Sequence, residues 1–292
     1  MIVLEALNWA TDFLKDHQVD NPRLNAELLL SRSMGVRREE LYIRLHSQIT
    51  EGDRGALNAF VQRRVSGEPL QYILGQQEFW SFDVKVAPQV LIPRPETELL
   101  VEQALSILES ASFGKAARVL ELGTGSGAIA ISLAREVKEI LVVATDVSEE
   151  ALELARQNAL RADVERRILF VQGDLFNALQ SAEEKGPFDV IVSNPPYVPR
   201  PDIESLAKEV KNEPRIALDG GEDGLDFYRR IISEAPAHLR AGGWLLLEMG
   251  QGQGARVSAL IGEKVDFLRP QVHSDLSGIE RVIVVQKNER RE

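Results

Sequence analysis

Strands and helices alternate along the chain from Ala117 onward, and this alternation limits the possible folds more than any other feature of the sequence. The predicted strands are short apolar runs bounded by glycine or polar residues, at 117–122, 140–146, 167–172, 188–193, 242–248, 264–268 and 279–286. The helical patterns between them cover 127–137, 148–162, 202–210, 224–239 and 252–262. This order is typical of an α/β fold with a mostly parallel, Rossmann-like sheet of seven strands and crossover helices.

The N-terminal quarter of the chain has a different pattern. Residues 1–75 carry apolar stripes at helical spacing, and Thr50 with Asp53 resembles a capping box, so we predict a bundle of four or five helices. Residues 76–93 change to the alternation of a β-hairpin. We therefore predict three segments, namely a helical bundle, a hairpin linker and an α/β domain over 94–292.

The charge of the chain argues against generic binding of nucleic acid. Lys and Arg number 34 against 45 Asp and Glu, which gives a net charge of −11, and phosphate contacts need basic surface. The two basic pairs in the first third, Arg37–Arg38 and Arg63–Arg64, are interpreted as solvated helix faces. We expect no direct contact with nucleic acid.

Cysteine and histidine content, hydropathy and the N-terminal residues further limit the class of protein. The chain has no cysteine, and its four histidines are scattered, so we predict neither disulfides nor a metal site. No apolar run reaches the roughly 18 residues of a membrane span. The N-terminus lacks the basic start of a signal peptide. Together these features predict a cytoplasmic protein.

A glycine-rich loop follows the first strand of the α/β domain. Bare glycines allow a tight turn and let a ligand lie against the backbone. Gly123, Gly125 and Ala128 satisfy the dinucleotide fingerprint, whereas Glu121 followed by Gly123, Gly125 and Gly127 has the form used for S-adenosylmethionine. The loop alone leaves both cofactors open.

The next two strands end in carboxylates. Asp146 lies about 20 residues beyond the loop, where a carboxylate accepts the ribose hydroxyls of either cofactor. Asp174 follows the third strand and is placed to accept from an adenine amino group, with Leu175 or Phe176 against the ring. A capping role for Asp174 is an equally good explanation of that residue alone.

The fourth strand ends in Asn194-Pro195-Pro196-Tyr197. Neither proline has an N–H, each fixes its own φ, and Pro195 keeps Asn194 out of the helical region. The stiff hook therefore offers acceptors without competing donors. Asn194 Oδ1 and the Pro195 carbonyl can accept the two hydrogens of a planar –NH2 group, and Tyr197 can cover its face. A plain Asn-Pro turn is the alternative.

Such a hook suits a methyl transfer better than a hydride transfer. The nitrogen of an amide or exocyclic amine is a poor nucleophile because its lone pair is delocalised. Two acceptors on its N–H bonds aim that lone pair and offset the positive charge that develops on nitrogen. The expected reaction is an in-line displacement on S-adenosylmethionine, without a metal or a dedicated base.

The residues from Glu121 to Gly127, with Asp146, Asp174 and Asn194–Tyr197, resemble the class I S-adenosylmethionine-dependent methyltransferases of the amino-methylating N-P-P-Y branch. Three further stretches are similar to one family of that branch, the release factor glutamine methyltransferases (PrmC/HemK). They are Leu91–Glu98, Glu213–Leu225 and Leu247–Gln253. The resemblance spans essentially the whole chain.

The resemblance implies a substrate and roles for individual residues. The substrate would be the glutamine of the Gly-Gly-Gln motif in bacterial class I peptide-chain release factors, methylated at N5 with release of S-adenosylhomocysteine. The N-terminal bundle would dock the release factor. Gly123, Thr124, Gly125, Ser126 and Gly127 would hold the methionine part of the cofactor, Asp146 its ribose, and Asp174 with Leu175 its adenine. Asn194, Pro195, Pro196 and Tyr197 would bind the glutamine, with Arg94, Pro95 and Thr97 at the border of the pocket.

Three other functions compete with this one. An adenine-N6 or guanine-N2 methyltransferase acting on DNA or RNA would share the hook, but it should carry a basic strip. A non-catalytic nucleotide-binding module would tolerate loss of Asn194 or Asp146, and both are intact. An NAD-dependent oxidoreductase would share only the glycine loop.

Overall fold

The computed structural model describes residues 1–110, 116–180 and 185–289. The chain forms two compact units. The first comprises Met1–Gln77 and Ala207–Asn212, and the second comprises Glu78–Leu206 and Glu213–Glu292. Residues 207–212, which the sequence assigned to the α/β domain, thus belong to the helical unit.

The first unit is the predicted bundle of short helices. They are α1 (Val3–Asp16), α2 (Pro22–Met34), α3 (Arg38–Ile43), α4 (Glu51–Val65) and α5 (Leu70–Leu74). The capping box at the start of α4 is present, since Asp53 N donates to Thr50 Oγ1 at 3.1 Å and Thr50 N donates to Asp53 Oδ2 at 3.3 Å. The apolar faces of the helices pack on one another in a single core.

One basic residue of this unit is not on a solvated face. The side chain of Arg64 is buried. Its Nε donates to Asn25 Oδ1 at 2.8 Å, and its Nη2 pairs with Glu209 at 2.5 Å. The interpretation of Arg64 as a solvated residue was therefore wrong, because two partners that are distant in sequence satisfy its guanidinium group inside the unit.

The predicted hairpin lies where the helical unit ends. Its strands are β1 (Gln76–Phe79) and β2 (Phe82–Lys85). Trp80 and Ser81 between them both have positive φ, of 48° and 58°. Positive φ at both central residues gives the turn a twist that matches that of the strands.

The second unit contains the seven-stranded, mostly parallel sheet that the sequence predicts. Its strands are β3 (Ala117–Leu122), β4 (Ile140–Asp146), β5 (Ile168–Gln172), β6 (Phe188–Ser193), β7 (Leu239–Glu248), β8 (Gln271–Ser274) and β9 (Glu280–Gln286). The strand order is β5-β4-β3-β6-β7-β9-β8. Only the pairs β7–β9 and β8–β9 are antiparallel.

Helices pack on this sheet. They are α6 (Glu98–Ser110), α7 (Ala128–Glu136), α8 (Glu149–Arg161), α9 (Asp226–His238) and α10 (Gly254–Gly262). The strands β3 and β6 are almost entirely buried, as expected for parallel strands covered on both faces, and β7 is buried over its last four residues. Every helix in the described part of the chain is too short or too polar to cross a lipid bilayer.

Two predicted elements were wrong. The helix expected at 202–210 is replaced by 3₁₀ turns at Arg200–Ser205 and Val210–Asn212. Within 202–210 only Ile203 is buried, and a helix without an apolar face to dock gains little from packing. The strand expected at 264–268 is also absent, and the edge strand β8 lies further on.

The position of β8 has a physical reason. In the stretch 264–268 only Phe267 is buried, and it makes a single isolated bridge with Lys287. The residues of β8 are mostly exposed, so they carry no apolar alternation. An edge strand with two exposed faces leaves almost no periodic signal in the sequence.

Candidate active site

A cavity of about 340 Å³ opens at the carboxyl ends of the central strands. Four strands contribute to it, since Leu122 ends β3, Asp146 ends β4, Gly173 follows β5 and Ser193 ends β6. Open α/β sheets bind ligands at this edge, at the point where the strand order reverses. Here β3 is that point, because its two neighbours are β4 and β6.

The register of β3 and β6 brings the two principal sequence motifs together. Leu122 lies beside Ser193 in the parallel pair, and Ser193 Oγ donates to the carbonyl of Leu122 at 2.7 Å. The glycine loop starts one residue after Leu122, and the hook starts one residue after Ser193. Residues that are about 70 positions apart in the chain thus border the same cavity.

Eight of the residues singled out in the sequence line this cavity. They are Gly123, Gly125, Asp146, Asp174, Leu175, Asn194, Pro195 and Pro196. Others do not line it, among them Arg94, Pro95, Thr97, Glu121, Thr124, Ser126, Gly127, Phe176 and Tyr197.

The three glycines of the loop have different surroundings. Gly123 and Gly125 have φ of 74° and 55°, and a Cβ added to either would meet no atom within 4 Å. They present bare backbone to open space. A Cβ on Gly127 would instead lie 3.1 Å from Ala155 Cβ and 3.1 Å from Ile131 Cδ1. The first two glycines therefore shape the cavity, and the third permits close packing of helices.

Asp146 holds the loop and still has acceptor capacity. Its Oδ2 accepts from Gly125 N at 2.8 Å and its Oδ1 accepts from Ser148 N at 3.0 Å. Burial raises the pKa of this carboxyl, and the two N–H groups act in the opposite direction. Each carboxylate oxygen has a second lone pair, so Asp146 can also accept from the hydroxyls of a ribose.

Asp174 borders the cavity as half of an ion pair. Its Oδ2 lies 2.6 Å from Nη2 of Arg230, which also lines the cavity. Leu175 faces the cavity and has a φ of 51°, a strained value for a residue with a side chain. Phe176 does not face the cavity but stacks on His238, with ring centroids 4.5 Å apart.

Glu121 lies beneath the loop rather than in the cavity. Its Oε2 accepts from Thr124 Oγ1 at 2.6 Å and from Ala130 N at 3.1 Å. Burial raises the pKa of Glu121 to about 8. Thr124 and Ser126 are buried as well. These residues fix the shape of the loop from below.

Asn194 is oriented by a hydrogen bond from its amide nitrogen. Nδ2 donates to Thr97 Oγ1 at 3.2 Å. None of the hydrogen bonds found among the described residues uses Asn194 Oδ1 as the acceptor. Asn194 and Pro195 both line the cavity. The amide therefore keeps a free acceptor at the cavity wall.

Tyr197 ends the hook and turns into the protein. Its ring packs against the main core of the sheet unit. Burial, followed by the nearby carboxyl of Glu248, raises the pKa of Tyr197 to about 12. The phenol thus remains neutral at physiological pH. Tyr197 does not line the cavity, and its role as a cover over a bound –NH2 group stays a prediction.

Arg94 is held by a carboxylate outside the cavity. Its Nη2 pairs with Glu213 Oε1, and Glu213 Oε2 accepts from Ile92 N at 3.0 Å. Both partners belong to stretches that carry the family resemblance. Their pairing ties the entry to α6 to the loop that follows the hook.

Several residues that line the cavity were not identified from the sequence. They include Leu91, Val147, Ile216, Phe227 and Arg230. Val147 directly follows Asp146, and Leu91 and Ile216 lie in stretches noted for the resemblance, so position in the chain was an available signal. Phe227 and Arg230 lie on α9, where nothing in the sequence distinguishes them from other helix residues.

The cavity fits S-adenosylmethionine. Its volume is in the usual range for small-molecule sites. Its walls combine bare glycine backbone, the buried carboxylate of Asp146 and apolar side chains on either side, such as Val147 and Leu175. These groups match a methionine chain, a ribose and an adenine in turn. In the described part of the chain, no cluster of three His, Cys, Asp or Glu side chains is arranged to hold a metal ion.

Comparisons with known proteins agree with this geometry. The family model of the PrmC N-terminal domain matches residues 5–75, and a methyltransferase domain model matches residues 113–221. The release factor glutamine methyltransferase of Geobacter sulfurreducens is 42% identical over 282 residues, which is 96% of this chain and 95% of that protein. That of Moorella thermoacetica is 39% identical over 289 residues, covering 99% and 100%.

A solved structure has a similar fold. The catalytic domain of hMettl16, in complex with hairpin 6 of the MAT2A 3′UTR, matches with a TM-score of 0.57 and 14% identity. The match covers 80% of this chain and 83% of that one. At this identity the likeness concerns the fold alone.

Proposed function

The chain belongs to the family of release factor glutamine methyltransferases, and on that premise we propose that it methylates the side-chain amide nitrogen of a glutamine in a peptide-chain release factor. The methyl donor is S-adenosylmethionine. The proposed target is N5 of the glutamine in the Gly-Gly-Gln motif of bacterial class I release factors.

One observation carries the proposal more than any other. Asn194 is held through Nδ2 by Thr97, so its Oδ1 remains available at the cavity wall next to the Pro195 carbonyl. Proline has no N–H that could compete for these acceptors. The two oxygens match the two hydrogens of a primary amide, and they hold its nitrogen in one orientation.

The remaining residues of the site position the reactants. Gly123 and Gly125 leave room for the methionine part of the cofactor, and Asp146 accepts from the ribose. When bound, S-adenosylmethionine would supply a sulfonium methyl group for transfer to the glutamine nitrogen, and the electron pair of the broken carbon–sulfur bond would stay on sulfur. The methylated nitrogen loses one proton to water, which gives N5-methylglutamine. The acceptors Asn194 Oδ1 and Pro195 O offset the positive charge that develops on nitrogen.

The helical unit is proposed to dock the body of the release factor. It carries the match to the PrmC N-terminal domain, and we found no catalytic constellation in its sequence. The hairpin over 76–93 is proposed as the linker to a methyltransferase domain over 94–292. The net charge of −11 supports a protein partner rather than naked nucleic acid.

The test is a methylation assay read by peptide mass spectrometry. Purified protein is incubated with S-adenosylmethionine and a release factor, and the peptide with the Gly-Gly-Gln motif should gain one methyl group on its glutamine. A release factor with that glutamine replaced by glutamate is the matched control, because it lacks the –NH2 group. Transfer RNA and DNA are parallel substrates. Methyl transfer to either of them, with none to the release factor, would replace this proposal by the nucleic-acid alternative.

A further inference from the structure

A buried carboxyl group lies behind the hook and has no part in the function described so far. Glu248 ends β7, and only 2% of it is exposed. Its Oε2 has no hydrogen-bond partner among the described residues. Glu248 does not line the cavity. A buried acid without full hydrogen bonding is costly, so its presence calls for an explanation in terms of its neighbours.

The neighbour that connects Glu248 to the site is Thr97. Thr97 is the hydrogen-bonding neighbour whose hydroxyl lowers the pKa of the Glu248 carboxyl, and the same hydroxyl oxygen accepts from Asn194 Nδ2 at 3.2 Å. Thr97 is itself buried. A hydroxyl group has a single proton, so Thr97 can donate to one of these two neighbours but not to both.

We propose that Glu248 is a positioning residue that fixes the orientation of the Asn194 amide through Thr97. The Glu248 carboxylate accepts the Thr97 proton. The Thr97 oxygen can then only accept on its other side, which selects the amino end of the Asn194 amide. Oδ1 is thereby left for the substrate. The inference rests on the proposed function, because it explains how the acceptor for the glutamine –NH2 group is kept in place.

Protonation of Glu248 removes the preference for one orientation of the Asn194 amide. A neutral Glu248 can donate to Thr97, and the Thr97 proton is then free to turn toward Asn194. The amide can rotate so that Oδ1 accepts from Thr97 and Nδ2 faces the substrate. Two –NH2 groups would then face each other as donors, with no acceptor between them. Methyl transfer therefore needs Glu248 in its charged form.

Burial and the charges around Glu248 set the pH at which its carboxyl group loses its proton. Burial raises the pKa of Glu248 to about 7, the Thr97 hydrogen bond and Arg281 lower it, Glu96 raises it and Arg94 lowers it. The ionisable groups that face it from the hook and from α9 are the phenols of Tyr197 and Tyr228. Both phenols have raised pKa values and stay neutral over the range tested. The charged form of Glu248 thus prevails above about pH 7, and kcat should rise through that pH to a plateau.

The first experiment compares wild type with Glu248→Gln in the full chain, using methylation of a release factor across a pH series. Wild type should show an acidic limb of kcat centred near pH 7. Glu248→Gln cannot titrate, so its profile should lose that limb. Its plateau should fall by about 10- to 100-fold, because an amide does not impose one direction on the Thr97 proton. Affinity for S-adenosylhomocysteine, measured by calorimetry, should stay within about threefold.

The second experiment removes the hydroxyl in the middle. Thr97→Val keeps the shape of the side chain but breaks the link between Glu248 and Asn194. Like Glu248→Gln, it should therefore have a lower kcat plateau and no acidic limb. Thr97→Ser keeps the hydroxyl and should recover most of what Thr97→Val loses. This pair tests the inference even if Glu248→Gln folds poorly. Glu263→Gln makes the same chemical change at an exposed position of the second unit and should match wild type.

The outcomes separate two failures. An active wild type whose acidic limb persists in Glu248→Gln, or a Thr97→Val variant as active as Thr97→Ser, would overturn the positioning role alone. A wild type that adds no methyl group to a release factor would overturn the proposed function, and this inference with it.

Discussion

The side-chain amide of Gln253 donates from Nε2 to the backbone carbonyl of Tyr197 at 3.0 Å, and so holds the end of the hook. The same nitrogen donates to the carbonyl of Gly224 at 3.3 Å. Oε1 accepts from Gly250 N at 3.0 Å and from Tyr228 Oη at 3.3 Å. Gln253 is buried, so one buried side chain joins the hook, the loop before α9 and the turn before α10.

Gln253→Ala should therefore lower both stability and activity. The substitution leaves buried carbonyls unpaired, at a cost of about 1–3 kcal/mol for each group. We expect a clear fall in Tm and a lower kcat/KM for the release factor, because the end of the hook loses its anchor. Differential scanning calorimetry and the methylation assay measure the two effects. Gln251→Ala, at an exposed position two residues away, is the control. Equal Tm values for the two variants would contradict the prediction.

Alanine substitutions at two glycines of the cofactor loop should have different main effects, one on cofactor affinity and the other on thermal stability. At Gly125 the new methyl group would enter open space in the cavity, so Gly125→Ala should weaken S-adenosylhomocysteine binding more than it lowers Tm. At Gly127 the methyl group would press on Ala155 and Ile131 at 3.1 Å, so Gly127→Ala should lower Tm more. Both sites have positive φ, which adds about 1–2 kcal/mol of strain to each variant. Calorimetry measures the affinity of each variant for S-adenosylhomocysteine, and thermal melting measures its Tm. If one variant showed both the larger loss of affinity and the larger fall in Tm, the prediction would be contradicted.

The buried carboxyl of Glu121 should make stability depend on pH. Burial raises its pKa from 4.5 to about 8 in the folded protein. An acid with a raised folded pKa holds its proton longer in the folded state, so its contribution to stability is complete below pH 4.5 and is lost as pH rises toward 8. Each pKa unit corresponds to about 1.4 kcal/mol.

Glu121→Gln keeps an oxygen acceptor for Thr124 but cannot titrate. Its free energy of unfolding, from urea titrations, should fall less steeply with pH over that window than the free energy of wild type. Glu139→Gln, an exposed residue just before β4, should keep the wild-type slope. Identical slopes in wild type and Glu121→Gln would show that Glu121 titrates normally in the folded protein.

The sequence predicted most of the sheet because its strands are buried on both faces. The bounds of β3, β4 and β6 agree with the expected spans to the residue, since continuous apolar runs that end in glycine, aspartate or asparagine leave little choice. The edge strand β8 and the turns around Ile203 were missed for the converse reason. Exposed segments lack an apolar period, and their structure depends on partners elsewhere in the chain.

The same contrast applies to the site. The placement of Gly123, Gly125, Asp146 and Asn194 at the cavity was predictable because each lies at or just after the end of a recognisable strand, and such strand ends meet at one edge of the sheet. Hydrogen bonds over long sequence separations were not predictable. Asn194 meets Thr97 across 97 positions, and neither residue indicates the other in sequence. The roles of Thr97 and Gln253 therefore emerge only from the folded chain.

Asn194→Ala should separate chemistry from cofactor binding. Without the side chain, one of the two acceptors for the glutamine –NH2 group is lost, and the nitrogen is no longer aimed. Loss of a single preorganised polar contact in an active site costs about 10²–10³ in kcat. The cavity keeps Gly123, Gly125 and Asp146, which make the proposed contacts with the cofactor.

Affinity for S-adenosylhomocysteine should therefore change by less than about tenfold in Asn194→Ala, while release factor methylation in single-turnover assays falls at least 100-fold. Asn177→Ala, an exposed asparagine outside the cavity, serves as the matched control and should leave both measurements near wild type. If kcat and cofactor affinity instead fell by the same factor, Asn194 would act mainly by holding the cofactor. The Thr97 hydrogen bond would then orient Oδ1 toward the cofactor rather than toward the glutamine amide.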